Sequence, residues 1–307
     1  MHRDVIIEMM PERIREALYR SSKLYEGMTE IHLRAGGAIT ITVDGENYIL
    51  NKSGASKLAM EYLTMTQKEI DGFIEDMCDG SVYAYEETIK KGYISAKGVR
   101  LGVCGSFALG NVMRISSVNI RIPKHIEGCA QTIVDYISKN GFSSNAGLLV
   151  ASAPGVGKTT VLRELARVFS KGIVYGYSAT PKVYRVCVVD ERYEIYMPEV
   201  FKGCAVDFCR GLDKGSAIEI CTRVMAPEII ICDEIGSEKE SGILANTHAG
   251  GIKIIASVHA ETLKEILSKT ETSRLCEKGV FSHICFLYRK AHGVQTSIYS
   301  IEEDSYV

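Results

Sequence analysis

The feature that most constrains the fold of this chain is a glycine-rich segment, SAPGVGKTT at 152–160, that lies between two stretches of opposite periodicity. Residues 147–153 form a short apolar run typical of a buried strand, and residues 159–170 have helical spacing and end before Gly172. A glycine-rich loop between a strand and a helix lets successive backbone N–H groups point at a phosphate. The sequence therefore predicts a phosphate-binding loop within an α/β fold.

Each polar group of this loop has an expected partner in a nucleotide. The lysine of such a loop reaches the β- and γ-phosphates and the next hydroxyl ligates Mg²⁺, so we expect ATP and Mg²⁺ as cofactors. Ser152 stands where the Walker A pattern GxxxxGK[ST] has its first glycine, and we expect the phosphate cradle to remain intact. The expected nucleotide-binding residues are Ser152, Ala153, Pro154, Gly155, Val156, Gly157, Lys158, Thr159 and Thr160.

Two carboxylates follow the apolar run at 229–232. We expect Asp233 to hold magnesium together with Thr159, and Glu234 to orient and polarise the attacking water. Either motif alone is common in proteins, but the acidic pair and the glycine-rich loop together favour a nucleotide-hydrolysing site. Glu234 and Lys158 are therefore predicted catalytic residues.

Two further apolar runs also end in polar residues. His259 follows 252–258, where its ring is expected to face the γ-phosphate as a third catalytic residue, although a lone histidine after a strand is more often structural. Asp190 and Glu191 follow 183–189 and are expected to hold magnesium-bound waters, unless they only form a charged turn. The predicted metal site therefore comprises Thr159, Asp233, Asp190 and Glu191.

The pattern of the chain changes near residue 125. Before it, short strands mix with a few helices: an Asp44-Gly45 turn predicts a hairpin, and Thr66-x-x-Glu69 predicts a capped helix. After it, strands alternate with capped helices, which is typical of a parallel sheet with crossovers. We predict an α+β domain at 1–125 and a RecA-like P-loop NTPase domain with a mainly parallel sheet at 126–307, an α/β fold overall.

Finer boundaries in the second domain come from local signals. A Ser216-x-x-Glu219 pair predicts the start of a helix that Pro227 ends. A His292-Gly293 pair predicts the turn of a closing hairpin.

Composition narrows the functional classes. The 307 residues carry 36 Lys and Arg against 38 Asp and Glu, a formal charge of −2, which argues against an overall basic nucleic-acid-binding surface. The ten cysteines form no CxxC pair, so we expect a reducing, cytoplasmic compartment and no zinc site. Charged residues throughout the first twenty positions and the absence of a long apolar run predict neither a signal peptide nor a membrane span.

Three arginines of the first domain are candidate arginine fingers, side chains that a second subunit inserts beside the nucleotide. Arg100 and Arg121 project from the outer faces of predicted strands, and Arg114 lies between them in the sequence. A solvated strand face explains the same pattern equally well.

Six segments together resemble the stage III sporulation protein AA family: SAPGVGKTT (152–160), VVDERYEI (188–195), RVMAPEIIICDEIG (223–236), IIASVHAETL (254–263), TEIHLRAGGAI (29–39) and VRLGVCG (99–105). That family is similar to the AAA-type ATPases that drive type II secretion, type IV pili and conjugation. The resemblance implies an acidic Asp box at 190–194, a Walker B pair at Asp233 and Glu234, and a His box at His259. Secretion motors generally have glycine where this chain has Asp233.

The resemblance also implies an oligomeric state and a place in the cell. It implies a homohexameric ring that works at the membrane between mother cell and forespore through integral-membrane sporulation channel proteins. The protein would then be cytoplasmic and would reach the membrane only through a partner.

The function predicted from these observations is an ATP-hydrolysing motor of the secretion-ATPase type. A P-loop kinase is less favoured, because residues 234–258 contain no arginine for a phosphate-binding lid. A binder of single-stranded nucleic acid would need stacking aromatics among basic residues, and the chain has no Trp. A nucleotide-gated scaffold without turnover remains an alternative, because the sequence shows the parts of a hydrolytic site and not their geometry.

Overall fold

The structure, a computed structural model, describes residues 2–21, 24, 27–58, 60–108, 111–142, 147–176, 180–290 and 293–301. The chain divides into two compact units, Met1–Lys124 and His125–Val307. His292, half of the predicted closing turn, lies outside the described residues. Among the helices that are described, none has the length and apolar content that a membrane span requires.

The first unit is built around one antiparallel sheet with the strand order β4-β3-β2-β1-β7-β6-β5. Its helices supply apolar side chains to the core on this sheet. The elements are α1 (His2–Glu8), α2 (Glu12–Arg20), β1 (Met28–Arg34), β2 (Thr40–Val43), β3 (Glu46–Asn51), β4 (Gly54–Ser56), α3 (Gln67–Met77), α4 (Glu86–Lys90), β5 (Tyr93–Ala96), β6 (Val99–Ala108) and β7 (Asn111–Arg121).

Local signals in the sequence account for two features of this unit. Asp44 and Gly45 both have positive φ, 50° and 87°, which gives the tight turn that joins β2 to β3. Thr66 caps α3: its side chain accepts from the Glu69 N–H while the Glu69 carboxylate accepts from the Thr66 N–H. The predicted hairpin and capped helix are both present.

The second unit has a sheet of order β10-β9-β11-β12-β8-β13-β14. The pair β13 and β14 is antiparallel, and the other neighbouring pairs are parallel. The elements are α5 (Gln131–Asn140), β8 (Gly147–Ser152), α6 (Lys158–Lys171), β9 (Val186–Asp190), β10 (Val206–Arg210), α7 (Lys214–Ile220), β11 (Ile229–Cys232), α8 (Glu238–Ala249), β12 (Lys253–His259), α9 (Leu263–Ser268), α10 (Thr270–Glu277), β13 (Phe281–Lys290) and β14 (Gly293–Ser300).

The central strands of this sheet are buried on both faces. Leu148 and Val150 of β8 pack in one core with α6, whereas Leu149 and Ala151 pack in the opposite core with α7 and α8. A strand with helices on both faces has no solvent side, which is why these strands are continuous apolar runs in the sequence.

The predicted start of α7 at Ser216 is wrong. The helix begins at Lys214, and the preceding Asp213 is its N-cap, because its carboxylate accepts from the Ser216 N–H at 3.1 Å. Ser216 therefore lies in the first turn of the helix. At the other end, a π-helical turn at Cys221–Met225 leads to Ala226 in the left-handed region (φ 44°), directly before Pro227.

Candidate nucleotide-binding and catalytic site

The polar residues singled out in the second half of the sequence lie at one edge of its sheet. The strands β8, β12, β11 and β9 run parallel, so their carboxyl ends meet at that edge. The glycine-rich loop follows β8, and His259, the last residue of β12, lies opposite Ser152 in the strand register. Asp233 and Glu234 follow β11, and Asp190 ends β9.

The glycine-rich loop has the backbone of a phosphate cradle. Gly155 and Gly157 have φ of +73° and +124°, values that residues with a Cβ rarely adopt. Helix α6 begins at Lys158, directly after Gly157, so its N-terminal N–H groups belong to the loop. Ser152 ends β8 with its side chain buried, and its Oγ lies 3.3 Å from Lys158 Nζ. Serine in place of the usual glycine therefore adds a polar contact to the loop.

Lys158 connects the loop to His259. Its Nζ donates to the carbonyl oxygens of Ser152 (3.1 Å) and Ala153 (3.3 Å), and it lies 2.8 Å from His259 Nδ1. Burial lowers the pKa of Lys158, and the charges of Asp233 and Glu234 oppose that shift. Since an ammonium group can only donate, Nδ1 of His259 is the acceptor in this contact.

Thr159 and Asp233, both predicted to hold magnesium, are in contact, and the buried Ser257 holds the aspartate. Thr159 Oγ1 donates to Asp233 Oδ2 at 3.2 Å. The other oxygen, Oδ1, accepts from Ser257 Oγ at 2.7 Å and from the Glu234 N–H at 2.9 Å. A hydroxyl and a carboxylate in contact are the oxygen donors that Mg²⁺ takes beside phosphates, so these residues fit a magnesium ion.

The two carboxylate oxygens of Glu234 contact different residues. Its Oε2 accepts from Arg192 Nη1 at 3.0 Å, and its Oε1 lies 3.6 Å from His259 Nε2. The backbone carbonyl of Glu234 accepts from Lys214 Nζ, a lysine that also pairs with Glu240. A chain of polar contacts therefore runs from Lys158 through His259 and Glu234 to Arg192.

Asp190 lies near this chain, but its carboxylate is used within its own loop. It is 2% exposed, and it accepts from the N–H groups of Glu194 (2.8 Å), Ile195 (3.2 Å) and Tyr196 (2.9 Å). Burial raises the pKa of Asp190, while these three hydrogen bonds act in the opposite direction. The geometry gives Asp190 the task of ordering the loop 190–196, and Glu191, half-buried beside it, has no comparable set of backbone contacts among the described interactions.

A buried arginine fixes the same loop from the other side. Arg163 of α6 is 2% exposed, and its guanidinium donates to the carbonyl oxygens of Ile195 (2.7 Å) and Glu194. Burial lowers the pKa of Arg163 against the opposing charge of Asp190. The helix that starts at the glycine-rich loop therefore also anchors the loop that carries Arg192.

Sequence reasoning missed four side chains of this site, Arg163, Arg192, Ser257 and Arg289. Arg163 could have been found, because it is a charged residue among the apolar positions of α6. Arg192 lies in a charged turn and Ser257 in an apolar strand, and neither position is unusual enough in the sequence to indicate a role. Arg289 of β13, the strand beside β8, donates to the carbonyl of Gly155 at 3.4 Å. It brings a positive charge to the glycine-rich loop from within the same chain.

The three candidate arginine fingers all lie in the first unit. The guanidinium of Arg100 lies 4.3 Å from the ring centre of Tyr93, and Arg121 Nε lies 3.8 Å from a carboxylate oxygen of Glu30. Arg114 is exposed on β7. Their action in a neighbouring subunit stays a prediction.

Comparisons with known proteins agree with this picture of the fold. The family model for sporulation stage III, protein AA matches residues 1–304. The stage III sporulation protein AA of Bacillus subtilis (strain 168) is 27% identical over 307 residues, which cover 96% of this chain and 94% of that protein.

Two solved structures match most of the chain. The Legionella pneumophila ATPase DotB has a TM-score of 0.61 at 13% identity and covers 96% of this chain and 83% of its own. The pilus retraction motor PilT with bound ADP has a TM-score of 0.57 at 14% identity, with 91% of this chain and 80% of its own covered. At these identities the similarity shows the fold alone, an α/β fold like that of P-loop ATPases.

Proposed function

Because the chain belongs to the sporulation stage III, protein AA family, we propose that it is a magnesium-dependent ATPase that energises the assembly or transport of a membrane channel complex between mother cell and forespore. It acts as a homohexamer in the cytoplasm and reaches the membrane through integral-membrane channel proteins. No nucleic acid takes part.

The observation that carries this proposal is the polar chain from Lys158 to Glu234. A phosphate-binding lysine, a histidine at the end of the neighbouring strand and a glutamate after the next strand lie within contact distance: 2.8 Å from Lys158 to His259 and 3.6 Å from His259 to Glu234. A protein that only stores a nucleotide needs the phosphate loop, whereas a glutamate held beside it is the group that hydrolysis requires.

Each residue has a task in the hydrolysis of ATP. The loop N–H groups from Gly155 to Thr160 and the Lys158 ammonium bind the phosphates. Glu234 accepts a hydrogen bond from the attacking water and orients it in line with the γ-phosphate. His259, whose Nδ1 contacts Lys158, exchanges that contact for the γ-phosphate when the lysine moves to the nucleotide. Thr159 and Asp233 would hold Mg²⁺, which neutralises negative charge on the phosphate oxygens.

The proposal of a motor draws on further support. The solved structures that share the fold include the pilus retraction motor PilT with bound ADP and the ATPase DotB. Exposed or half-buried arginines of the first unit, Arg100, Arg114 and Arg121, are the side chains that a ring would bring to a neighbour's nucleotide. A site completed across subunits makes the activity depend on assembly.

The test is steady-state ATP hydrolysis by the wild type and by two variants, each assayed over a range of protein concentrations. Lys158→Ala is expected to lose ATP binding together with turnover, and Glu234→Gln to retain ATP binding while turnover falls by about 100-fold or more. Activity per subunit is expected to rise steeply with concentration. Each measurement is repeated with the cytosolic part of a channel partner.

Two outcomes would contradict the proposal. Full activity at concentrations where the protein is monomeric would refute the ring. Sporulation that proceeds normally with Glu234→Gln would favour a nucleotide-gated scaffold, because such a scaffold needs binding and not turnover.

A further inference from the structure

Arg192 lies in the segment 190–194, where the sequence assigned roles only to Asp190 and Glu191, and it contacts the side chain on which the proposed chemistry depends. Its Nη1 donates to Glu234 Oε2 at 3.0 Å. We propose that Arg192 is a positioning residue: it holds one oxygen of Glu234 so that the other faces the attacking water. This inference rests on the proposed ATPase function and deepens it.

The two oxygens of Glu234 face different surroundings. Oε2 is bound by Arg192, which comes from the loop after β9, while Oε1 lies on the side of His259, 3.6 Å from its Nε2. His259 in turn contacts Lys158, the residue that binds phosphate, so Oε1 is the oxygen nearer the nucleotide. Because Arg192 binds Oε2, the Glu234 side chain is restricted to rotamers in which Oε1 faces the attacking water.

Arg192 can hold Glu234 in one orientation only if its own backbone is fixed, and the contacts of the loop 190–196 fix it. The Asp190 carboxylate accepts from three backbone N–H groups of the loop, and Arg163 donates to two of its carbonyls. Tyr193, next to Arg192, has φ of 58°, a conformation that a tyrosine adopts only when its surroundings impose it. The backbone that carries Arg192 is thus fixed from both sides.

Stability alone does not account for the contact. The side chains of Arg192 and Glu234 are 50% and 31% exposed, and an ion pair with such exposure contributes between zero and about 1 kcal/mol to folding. The chain offers a matched comparison at the opposite end of the same two strands. There Arg185, 66% exposed, pairs with Glu228 at 3.6 Å, far along β9 and β11 from the phosphate loop.

The experiment compares Arg192→Ala, Arg192→Lys and the control Arg185→Ala in the full-length protein. For each we measure kcat and KM for ATP, the affinity for ADP, and the affinity for ADP with aluminium fluoride, which mimics the phosphoryl group in transfer. We expect Arg192→Ala to lower kcat by about 10- to 100-fold, with KM and ADP affinity changed less than about 3-fold. Its affinity for ADP with aluminium fluoride falls by about 10-fold or more.

The other two variants complete the expected pattern. Arg192→Lys restores part of kcat, because an ammonium group can still bind one carboxylate oxygen although it loses the planar guanidinium. Arg185→Ala stays within about 2-fold of the wild type in every measurement.

Each contrary outcome has a definite meaning. If Arg192→Ala matches Arg185→Ala in kcat, or loses ADP affinity as much as kcat, Arg192 does not position Glu234 and the inference is overturned. If the wild type neither hydrolyses ATP nor traps ADP with aluminium fluoride, the ATPase function itself is overturned, and the inference falls with it. Retained ADP binding shows in the same samples that each variant is folded.

Discussion

The substitution Asp190→Asn separates two roles for a carboxylate that the sequence assigned to a predicted magnesium site. In the structure its two oxygens accept three backbone N–H groups, from Glu194, Ile195 and Tyr196, at 2.8, 3.2 and 2.9 Å. An asparagine has the same shape, but its NH₂ must face either the first two N–H groups or the third. At least one of these three backbone donors therefore loses its acceptor.

The magnitude follows from these contacts. A hydrogen bond to a charged group contributes about 1.5–3 kcal/mol, and the remaining bonds weaken when the acceptor becomes neutral. Removal of the buried charge offsets part of this loss, because burial raises the pKa of Asp190 and so disfavours its ionised form. We expect the free energy of unfolding to fall by about 2 kcal/mol, which lowers the melting temperature by about 4–8 °C for a unit of this size.

The assay is thermal unfolding of the wild type, Asp190→Asn and the control Asp207→Asn, alongside ATP turnover at a temperature where all three are folded. Asp207 is an exposed aspartate on the neighbouring strand β10, and its substitution is expected to change stability by less than about 0.5 kcal/mol. A variant Asp190→Asn that melts like the wild type but has lost ATP turnover by about 100-fold would refute the reasoning, because Asp190 would then act on the magnesium ion.

Two more substitutions test single contacts. Ser257→Ala removes the hydroxyl that donates to Asp233 at 2.7 Å, so a magnesium titration of ATP turnover is expected to show about 3- to 10-fold weaker apparent affinity, whereas the buried Ser241→Ala leaves it unchanged. The pKa of Glu69 is lowered from 4.5 to about 2, chiefly by its hydrogen bond from Arg13 and further by hydrogen bonds from Thr66, and Arg13→Ala removes the larger of these causes. A carboxylate whose pKa is lower in the folded state stabilises the fold above pH 4.5, and this stabilisation is lost as the pH falls toward 2. In denaturation experiments the free energy of unfolding of Arg13→Ala should therefore be about 1 kcal/mol below that of the wild type at pH 7, and the difference should shrink between pH 5 and pH 2. A difference that stays constant over this pH range would contradict the prediction.

Local sequence signals were sufficient where a few neighbouring residues decide the conformation. The Asp44-Gly45 turn and the Thr66 cap form as predicted, because each depends on dihedrals and hydrogen bonds within four residues. The glycine-rich loop is of the same kind: Gly155 and Gly157 adopt positive φ between a strand and a helix, and its binding of phosphate stays a prediction. The prediction that α7 starts at Ser216 was wrong for a local reason too, because Asp213 is the N-cap and its carboxylate accepts from the Ser216 N–H.

The family was also readable from the sequence, since motifs along most of the chain resembled it and the family model matches residues 1–304. What the motifs did not contain is the set of contacts between them. The edge strand β10 at Val206–Arg210 was not predicted at all, because it has only five residues, three half-buried and two exposed, and so short a segment carries little periodic signal.

The sequence by itself determined which residues are candidates for phosphate and water chemistry, because loop glycines, a lysine and strand-end carboxylates are recognised by their identity and their neighbours along the chain. Only the tertiary structure decided how they are held. The parallel order of β9, β11, β12 and β8 brings Arg192, Glu234, His259 and Lys158 into one chain of contacts, although they are far apart in the sequence. Such contacts follow from strand order and register, which no local pattern of residues encodes.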